Sequence, residues 1–336
     1  MIKLLRFIFN VIIDNGVGNT NKVDSKNILL VRWDGKVGDS IVSSLLAQSL
    51  QNDPTKNLYV VTTKALSNYY IEHLKLNDEQ VFTIEKKLSL RDIYKLKGFL
   101  PKIDTVVHPI GYFRFYDLMM ALLLKPQNVF ALDDKQKLVN FKLGQLTRGM
   151  NFNDKYQYIS SLLTEYVVES YFIPQTKNNK KISKDTIIFN PFGSKKYRTF
   201  SFTKSVELLN KISDAFPAKK IVVIYSPSTK VIADKIIKEV NRREVICAED
   251  IVTIYDAIEY ISGASLIISV DTAIVHIAEG LNKNIVSIYP QLPHRGNPWV
   301  PPSRPNSKVI FGSRNIDNYF DDFSVVDVLE SVKEIL

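Results

Sequence analysis

With one cysteine, Cys247, the 336-residue chain can form no disulfide within itself. The thiol closes the apolar run Val245-Ile246, the setting of a buried structural side chain rather than a reactive one. A chain so poor in cysteine fits a reducing compartment. Glycine is scarce at 13 residues, and Lys and Arg are scattered, so no flexible basic arm is expected. No apolar run approaches the roughly 20 residues that cross a bilayer. LLRFIFNVII and MMALLL are short or interrupted. The standard nucleotide fingerprints are missing too. GKVGDS lacks the Ser or Thr that follows a P-loop lysine, and no G-x-G-x-x-G follows a strand. There is no Asp-x-Asp pair and no His, Cys or carboxylate cluster with metal-ligand spacing, so neither a metal site nor a cofactor is expected.

Hydrophobic residues make up 45% and charged residues 24%, the balance of a folded chain long enough for two domains. The net charge of +9 favours an anionic partner: nucleic acid, an acidic membrane surface or a phosphorylated ligand. Nucleic acid finds no support, because the chain shows no aromatic–basic RNA motif, zinc-ligand spacing or recognition helix.

The opening MIKLLRFIFNVIID is not a signal peptide, since Arg6 interrupts the apolar stretch and no small-residue cleavage site follows. It reads as an amphipathic helix. Lys3, Arg6, Asn10 and Asp14 form one polar stripe, and Leu5, Ile8, Phe9, Ile12 and Ile13 cover much of the rest. Such a helix either lies on a membrane surface or packs on its own domain.

Beyond it, short apolar runs alternate with helical patterns. NILLVRW, NLYVVTT, QVFTIE, DTVVHP and NVFAL read as strands, with helices over 39–50, 65–74, 90–100 and 115–124 and a long helical stretch over 155–171. PQTKNNKKISKD lacks apolar periodicity and reads as a linker. The alternation then restarts with TIIFNP, KIVVIYS, EVIC, LIISV and NIVSIY, and with helices starting near Thr203, Thr229, Thr253 and Thr272. It ends in the amphipathic SVVDVLESVKEIL. Nearly all-apolar strands alternating with helices imply parallel sheets covered on both faces. The expected architecture is an N-terminal segment (1–26), a first Rossmann-like domain (27–172), a linker (173–185) and a second Rossmann-like domain (186–336). In this reading their strand-end loops face a ligand cleft.

Three strand–helix junctions carry candidate chemistry. In NILLVRWDGKVGDSIVSSLLAQSL, Gly35 and Gly38 permit a tight turn before a helix that starts around Gly38-Asp39. Asp39 is either a helix cap or first-turn acid, or a general base at a strand end; Asp34 is the nearest competing acid. In TIIFNPFGSKKYRTFSFTKSVELL, the loop Gly193, Ser194, Lys195, Lys196 and Arg198 follows a strand. It suits a diphosphate or is an ordinary solvated loop. In LIISVDTAIVHIAEGLNKNIVSIYP, a strand ends at Asp271 and a helix starts at Thr272-Ala273, an arrangement that can hold an anion. His276, one turn on, is either a ligand contact or a core residue.

Taken in order, these stretches resemble those of glycosyltransferase family 9, the lipopolysaccharide heptosyltransferases. The counterparts are Gly38-Asp39; Pro191-Phe192-Gly193 with Arg198; and Asp271-Thr272-Ala273 with His276. The resemblance implies a GT-B fold of two doubly wound α/β domains and an inverting, metal-independent transfer from a nucleotide sugar, ADP-heptose favoured, to an anionic glycolipid. It implies Asp39 as the base, with Gly38 beside it on the acceptor side. The donor contacts would come from Gly193, Ser194, Lys195, Lys196, Arg198, Asp271, Thr272, Ala273 and His276. It places the enzyme in the cytoplasm, with peripheral contact at the inner face of the membrane. The chain departs from the family pattern on the donor side. Ala273 stands for the usual glycine, and Arg198-Thr199-Phe200-Ser201 stands for Lys-x-Trp-Pro. Ser226, Ser228 and Thr229 occupy the place of an acid near the ribose, and PQLPHRGNPWVPPS replaces the common Gly-Pro-Thr-Asp pattern. A hexose or amino-sugar donor on the same fold, for another surface glycan, is therefore the alternative reading, and a binding protein without catalysis is a further one, which the presence of Asp39 disfavours.

Overall fold

The computed structural model describes residues 21–85, 88–176, 182–290, 297–313 and 315–336. Residues 1–20 of the amphipathic segment, 177–181 of the linker stretch and 291–296 of the PQLPHR loop lie outside the described residues. The chain divides into two compact units, the first ending at Phe172 and the second beginning at Ile173.

The first unit winds β1 (Asn27–Arg32), α1 (Val37–Gln51), β2 (Asn57–Thr63), β3 (Val81–Ile84), α2 (Leu90–Phe99), β4 (Thr105–Val107), α3 (Phe115–Leu124), β5 (Asn128–Ala131), β6 (Phe141–Lys142) and α4 (Phe152–Leu163). All strand pairs are parallel, in the order β3-β2-β1-β4-β5-β6. Parallel strands need helical crossovers, which cover both faces and bury the strands. Accordingly Ile28 to Leu30 of β1 are wholly inaccessible.

Two expected helices of this unit differ in the structure. The stretch over 65–74 is not one regular helix but a short turn, Lys64–Leu66, followed by a single wide turn, Tyr69–His73, which buries both Tyr69 and Tyr70. The helix over 155–171 starts earlier, at Phe152, and stops at Leu163. Beyond it, side chains of neighbouring elements capture the backbone. Thr164 Oγ1 donates to Asp53 at 2.7 Å, Val168 N donates to Ser49 Oγ at 3.1 Å, and Phe172 N donates to Ser44 Oγ at 2.8 Å. These bonds replace helical ones, and Val167-Val168 is a β-branched pair that loses little by leaving the helix.

The second unit contains β7 (Thr186–Asn190), α5 (Phe202–Ala215), β8 (Lys220–Val223), α6 (Lys230–Val240), β9 (Val245–Cys247), α7 (Ile254–Gly263), β10 (Leu266–Val270), α8 (Ala273–Gly280), β11 (Asn284–Pro290), β12 (Ser307–Gly312) and α9 (Val325–Ile335). Its parallel order is β12-β11-β10-β7-β8-β9. Read from its own first strand, this is the same doubly wound sequence as in the first unit. Thr229, Thr253 and Thr272 are the helix caps, as the pattern suggests. The cap of α5 is Ser201 rather than Thr203, because Ser201 Oγ accepts from Lys204 N at 3.1 Å. The strands without a sequence signal, β6 and β12, both lie at sheet edges. There half-exposed residues blur the apolar pattern, and the burial of β12 does not alternate.

Candidate active site

In a doubly wound sheet, ligands bind where the strand order reverses, beyond the strand ends. In the first unit that point lies between β1 and β4. The loop after β1 turns through Gly35, whose φ of +69° is the left-handed conformation that glycine adopts without strain. Helix α1 begins at Val37. Its cap is Lys36, which makes no side-chain cap bond. Asp39 sits in the first turn, and its carboxylate is engaged elsewhere: Arg32 Nη2 lies 3.3 Å from Asp39 Oδ2, and Lys36 Nζ lies 3.5 Å away. Gly38 precedes it on the first turn of the same helix.

Arg32 is a buried cation at the end of an apolar strand. Its Nη2 also donates to both carboxylate oxygens of Asp34 at 3.0 Å, and its Nη1 donates to Tyr156 Oη at 3.5 Å. Burial pushes the Asp39 carboxyl above the ordinary carboxylate range. Arg32 and Lys36 pull it down, and the neighbouring Asp34 pushes it further up. Burial likewise raises the Tyr70 and Tyr156 hydroxyls, so both phenols stay neutral. Beside this cluster the end of β4 carries His108. Its Nε2 is 2.8 Å from Asp117 Oδ1, and its ring meets Trp33 edge-on at 5.5 Å.

The switch point of the second unit lies between β7 and β10. Asn190 ends β7, and its Nδ2 donates to Ser269 Oγ at 3.0 Å and Thr272 Oγ1 at 3.1 Å, tying the two strand ends together. The following loop folds back on itself. Gly193 N donates to Thr199 Oγ1 at 2.9 Å, and a Cβ at Gly193 would stand 2.2 Å from the Arg198 carbonyl oxygen, so only glycine fits. Phe200, Phe320 and Phe323 stack behind the loop. Phe320 N donates to Thr199 O at 2.9 Å and Ser201 N to Asp321 Oδ1 at 2.8 Å.

In front of Asn190 opens a cavity of about 470 Å³, a volume typical of small-ligand sites. Gly193, Ser194, Thr272 and Ala273 line it, together with Tyr225 to Thr229 and Ile251 to Ile254. The first residues of three helices therefore meet there: Thr229 of α6, Thr253 of α7 and Thr272 of α8. Each helix start presents the positive end of its dipole. Asp256 offsets this charge at α7, whereas α6 and α8 carry no acid in the first turn. Ser226, Ser228 and Thr229 form a hydroxyl cluster on one side, with Oγ–Oγ distances of 2.9 and 3.1 Å from Ser226. Ile224, Tyr225, Ile251, Ile254 and Ala257 give apolar walls.

The other expected donor residues stand beside the cavity. Arg198 Nη1 lies 3.3 Å from Asp271 Oδ2, and Asn297 Nδ2 donates to the same oxygen at 3.5 Å. Lys196 Nζ donates to Asp317 O at 3.1 Å and lies over the Tyr319 ring, while Lys195 is exposed; neither lines the cavity. His276 is buried, edge-on to Trp299 at 6.0 Å. Burial pushes its pKa down to about 4, so at neutral pH it carries no charge for a phosphate. The sequence reading missed Arg32, Asn190, Tyr70, Tyr156 and the Ile251–Ile254 wall. Arg32 had a signal, a charge inside an apolar run, whereas the others were ordinary residues brought together by topology. Among the described residues, no three His, Cys, Asp or Glu side chains gather as a metal-ligand set, and no helix is long and apolar enough to cross a membrane.

Comparison with known proteins places this geometry. No individual curated protein matches the sequence. Among solved structures, ADP-heptose lipopolysaccharide heptosyltransferase II of E. coli superposes with a TM-score of 0.62 at 15% identity, over 92% of this chain and 98% of that one. The E. coli heptosyltransferase WaaC with ADP-2-deoxy-2-fluoro heptose gives 0.62 at 14% identity, over 92% and 100%. The family 9 glycosyltransferase of Veillonella parvula gives 0.66 at 12% identity, over 95% and 99%. At these identities the likeness establishes the fold, that of GT-B glycosyltransferases. The family model for glycosyltransferase family 9 (heptosyltransferase) matches residues 151–319, which include the cavity of the second unit but not Arg32, Asp34 and Asp39. By that match over half its length, the chain belongs to glycosyltransferase family 9, the heptosyltransferase family, and is a glycosyltransferase.

Proposed function

We propose that the second unit holds a nucleoside-diphosphate sugar, ADP-heptose in the favoured reading. In this reading the enzyme passes the sugar, with inversion and without a metal ion, to a hydroxyl of a lipopolysaccharide or lipooligosaccharide core. The observation that carries this reading is the convergence of three helix starts on one cavity with an apolar wall. Converging helix dipoles suit a diphosphate, and the wall from Tyr225 to Ala257 suits the flat face of a base. Gly193 and Ser194 offer backbone close to the phosphates; Thr272 and Ala273 offer the N–H groups of α8. Arg198, fixed by Asp271, supplies the nearby cation that stabilises the departing diphosphate. Asp271 and His276 complete the sugar side, His276 as a neutral group.

In the proposed reaction the acceptor oxygen forms its bond to the anomeric carbon as the bond to the diphosphate oxygen breaks. The electron pair leaves with the diphosphate, and the acceptor proton passes to Asp39. A carboxyl held above its ordinary range by burial is a better base than a solvated one. The acceptor is anionic, in keeping with the net charge of +9, and the enzyme works at the cytoplasmic face of the membrane. The hydroxyl cluster Ser226, Ser228 and Thr229 favours a second reading, another nucleotide sugar, because it stands where the family pattern has an acid near the ribose.

A thermal-shift series with ADP, UDP and GDP tests the reading. The fitting nucleotide should stabilise by about 2.7 kcal/mol at one hundred times its Kd. Ala273→Glu, which sets a carboxylate at the start of α8, should abolish the shift. A preference for UDP or GDP would favour the second reading; no shift with any of the three would reject the cavity as a donor site.

A further inference from the structure

Asp39 and Asp34 divide a single buried cation. Arg32 Nη2 reaches both oxygens of Asp34 at 3.0 Å and one oxygen of Asp39 at 3.3 Å. Among the described residues no other cation is as close to both. Lys36, the remaining one near Asp39, is 3.5 Å away on a largely exposed side chain. The groups facing this pair are Arg32 from β1, Lys36 from the loop, Tyr70 from the wide turn Tyr69–His73 and Tyr156 from α4. Both tyrosines are neutral, so the balance lies between one guanidinium, one half-solvated ammonium and two carboxylates.

A carboxylate paired alone with a buried guanidinium is held well in place but is a poor base, because the pairing favours its charged form. Here Asp34 takes the closer, two-oxygen contact. We propose that Asp34 is a positioning residue that sets the basicity of Asp39, drawing off the attraction of Arg32 so that Asp39 stays oriented yet able to accept a proton. The geometry explains why a charged residue stands two positions after Arg32, where it reaches the guanidinium with both carboxylate oxygens. Burial and the second carboxylate act on Asp39 in the same direction, and Arg32 opposes both. This inference rests on the reading of Asp39 as the base.

The test is a titration that needs no sugar donor. The full chain is labelled with carbon-13 at the aspartate carboxyl carbons, and the Asp39 signal is identified as the one lost in Asp39→Asn. In Asp34→Asn the Asp39 midpoint should fall by about one pH unit, the usual effect of removing a neighbouring like charge. Asp34→Ser serves as a second variant if the first folds poorly. Where turnover is measured, the acid limb of kcat should move to lower pH by the same amount. The plateau should drop several-fold, with KM for the donor unchanged. An Asp39 midpoint that stays put or rises in both variants overturns the proposal, even if melting temperature falls. Normal turnover in Asp39→Asn instead overturns the base assignment and leaves the titration result standing, so the two failures are distinguishable.

Discussion

The two units wind their strands in the same order, yet they fill the switch point in opposite ways. The first carries an ion cluster there, the buried Arg32 between Asp34 and Asp39, with the His108–Asp117 pair alongside. The second leaves it open as a cavity lined by helix starts and hydroxyls, and sets its ion pair, Arg198–Asp271, to one side. Topology alone thus marks where a site lies, and the residues at four strand ends decide what kind it is. Fixed charge suits proton transfer, in which a single carboxylate must keep an unusual pKa. Backbone dipoles suit a bound anion, whose charge the protein meets without burying a full cation.

Breaking the first unit's cluster should affect rate and not stability. Asp39→Asn is expected to lower sugar transfer by about 10²–10⁴-fold, the typical worth of a positioned base. Because burial raises the folded-state pKa of Asp39, its ionised form destabilises the fold at neutral pH, so melting temperature should hold or rise slightly. Asn also retains a hydrogen-bonding oxygen for Arg32. Nucleotide binding, which the proposed function assigns to the other unit, should be unchanged. A variant that loses both binding and turnover would erase the division of labour.

Breaking the second unit's pair should affect both stability and binding. Arg198→Ala removes the nearest cation from Asp271, which is only 4% exposed. Losing one partner of a buried pair costs about 3–5 kcal/mol, and the partial exposure of Arg198 reduces this to about 2–3. Urea unfolding should show the loss, and calorimetric titration should show weaker nucleotide binding. Arg198→Lys should recover part of both. Unchanged binding with lowered stability would leave Arg198 as a structural partner of Asp271 alone.

The smallest effect is pH-dependent and confined to the second unit. His276 has a folded pKa near 4 against about 6.5 when unfolded. The unfolded chain therefore binds the proton first, and the stability this histidine contributes is intact above pH 6.5 and lost as pH falls toward 4. Between pH 7 and 5 the loss should be about 2 kcal/mol. His276→Phe should flatten that slope in denaturant titrations at the two pH values. A wild-type slope retained in the variant would assign the acid sensitivity to other groups.

Much of this molecule is legible in one dimension. Alternating apolar strands and helical runs predict two parallel sheets, and Thr253 and Thr272 mark helix starts by their capping chemistry. Gly193 is a glycine because a loop returns onto it, and the glycine is visible while the return is not. The wide turn at Tyr69–His73 and the early end of α4 escaped the periodicity. Each depends on partners far along the chain, such as Ser44 and Ser49 receiving the backbone of 168–172. The edge strands β6 and β12 escaped it because edge residues are pulled toward solvent as much as toward the core.

What the sequence by itself determined is the set of parts: the strand ends, the acids and cations placed just beyond them, and the helices that begin there. Only the tertiary structure decided their states. Asp39 became a shared, raised carboxylate because the fold buries it and Asp34 stands beside it, against the pull of Arg32 and Lys36. His276 became neutral because burial denies it a proton. Three threonines at helix starts came to line one cavity because parallel strands bring the starts of successive helices to the same end of the sheet. Local pattern specifies local conformation, whereas desolvation and charge coupling depend on which distant residues arrive at the same place.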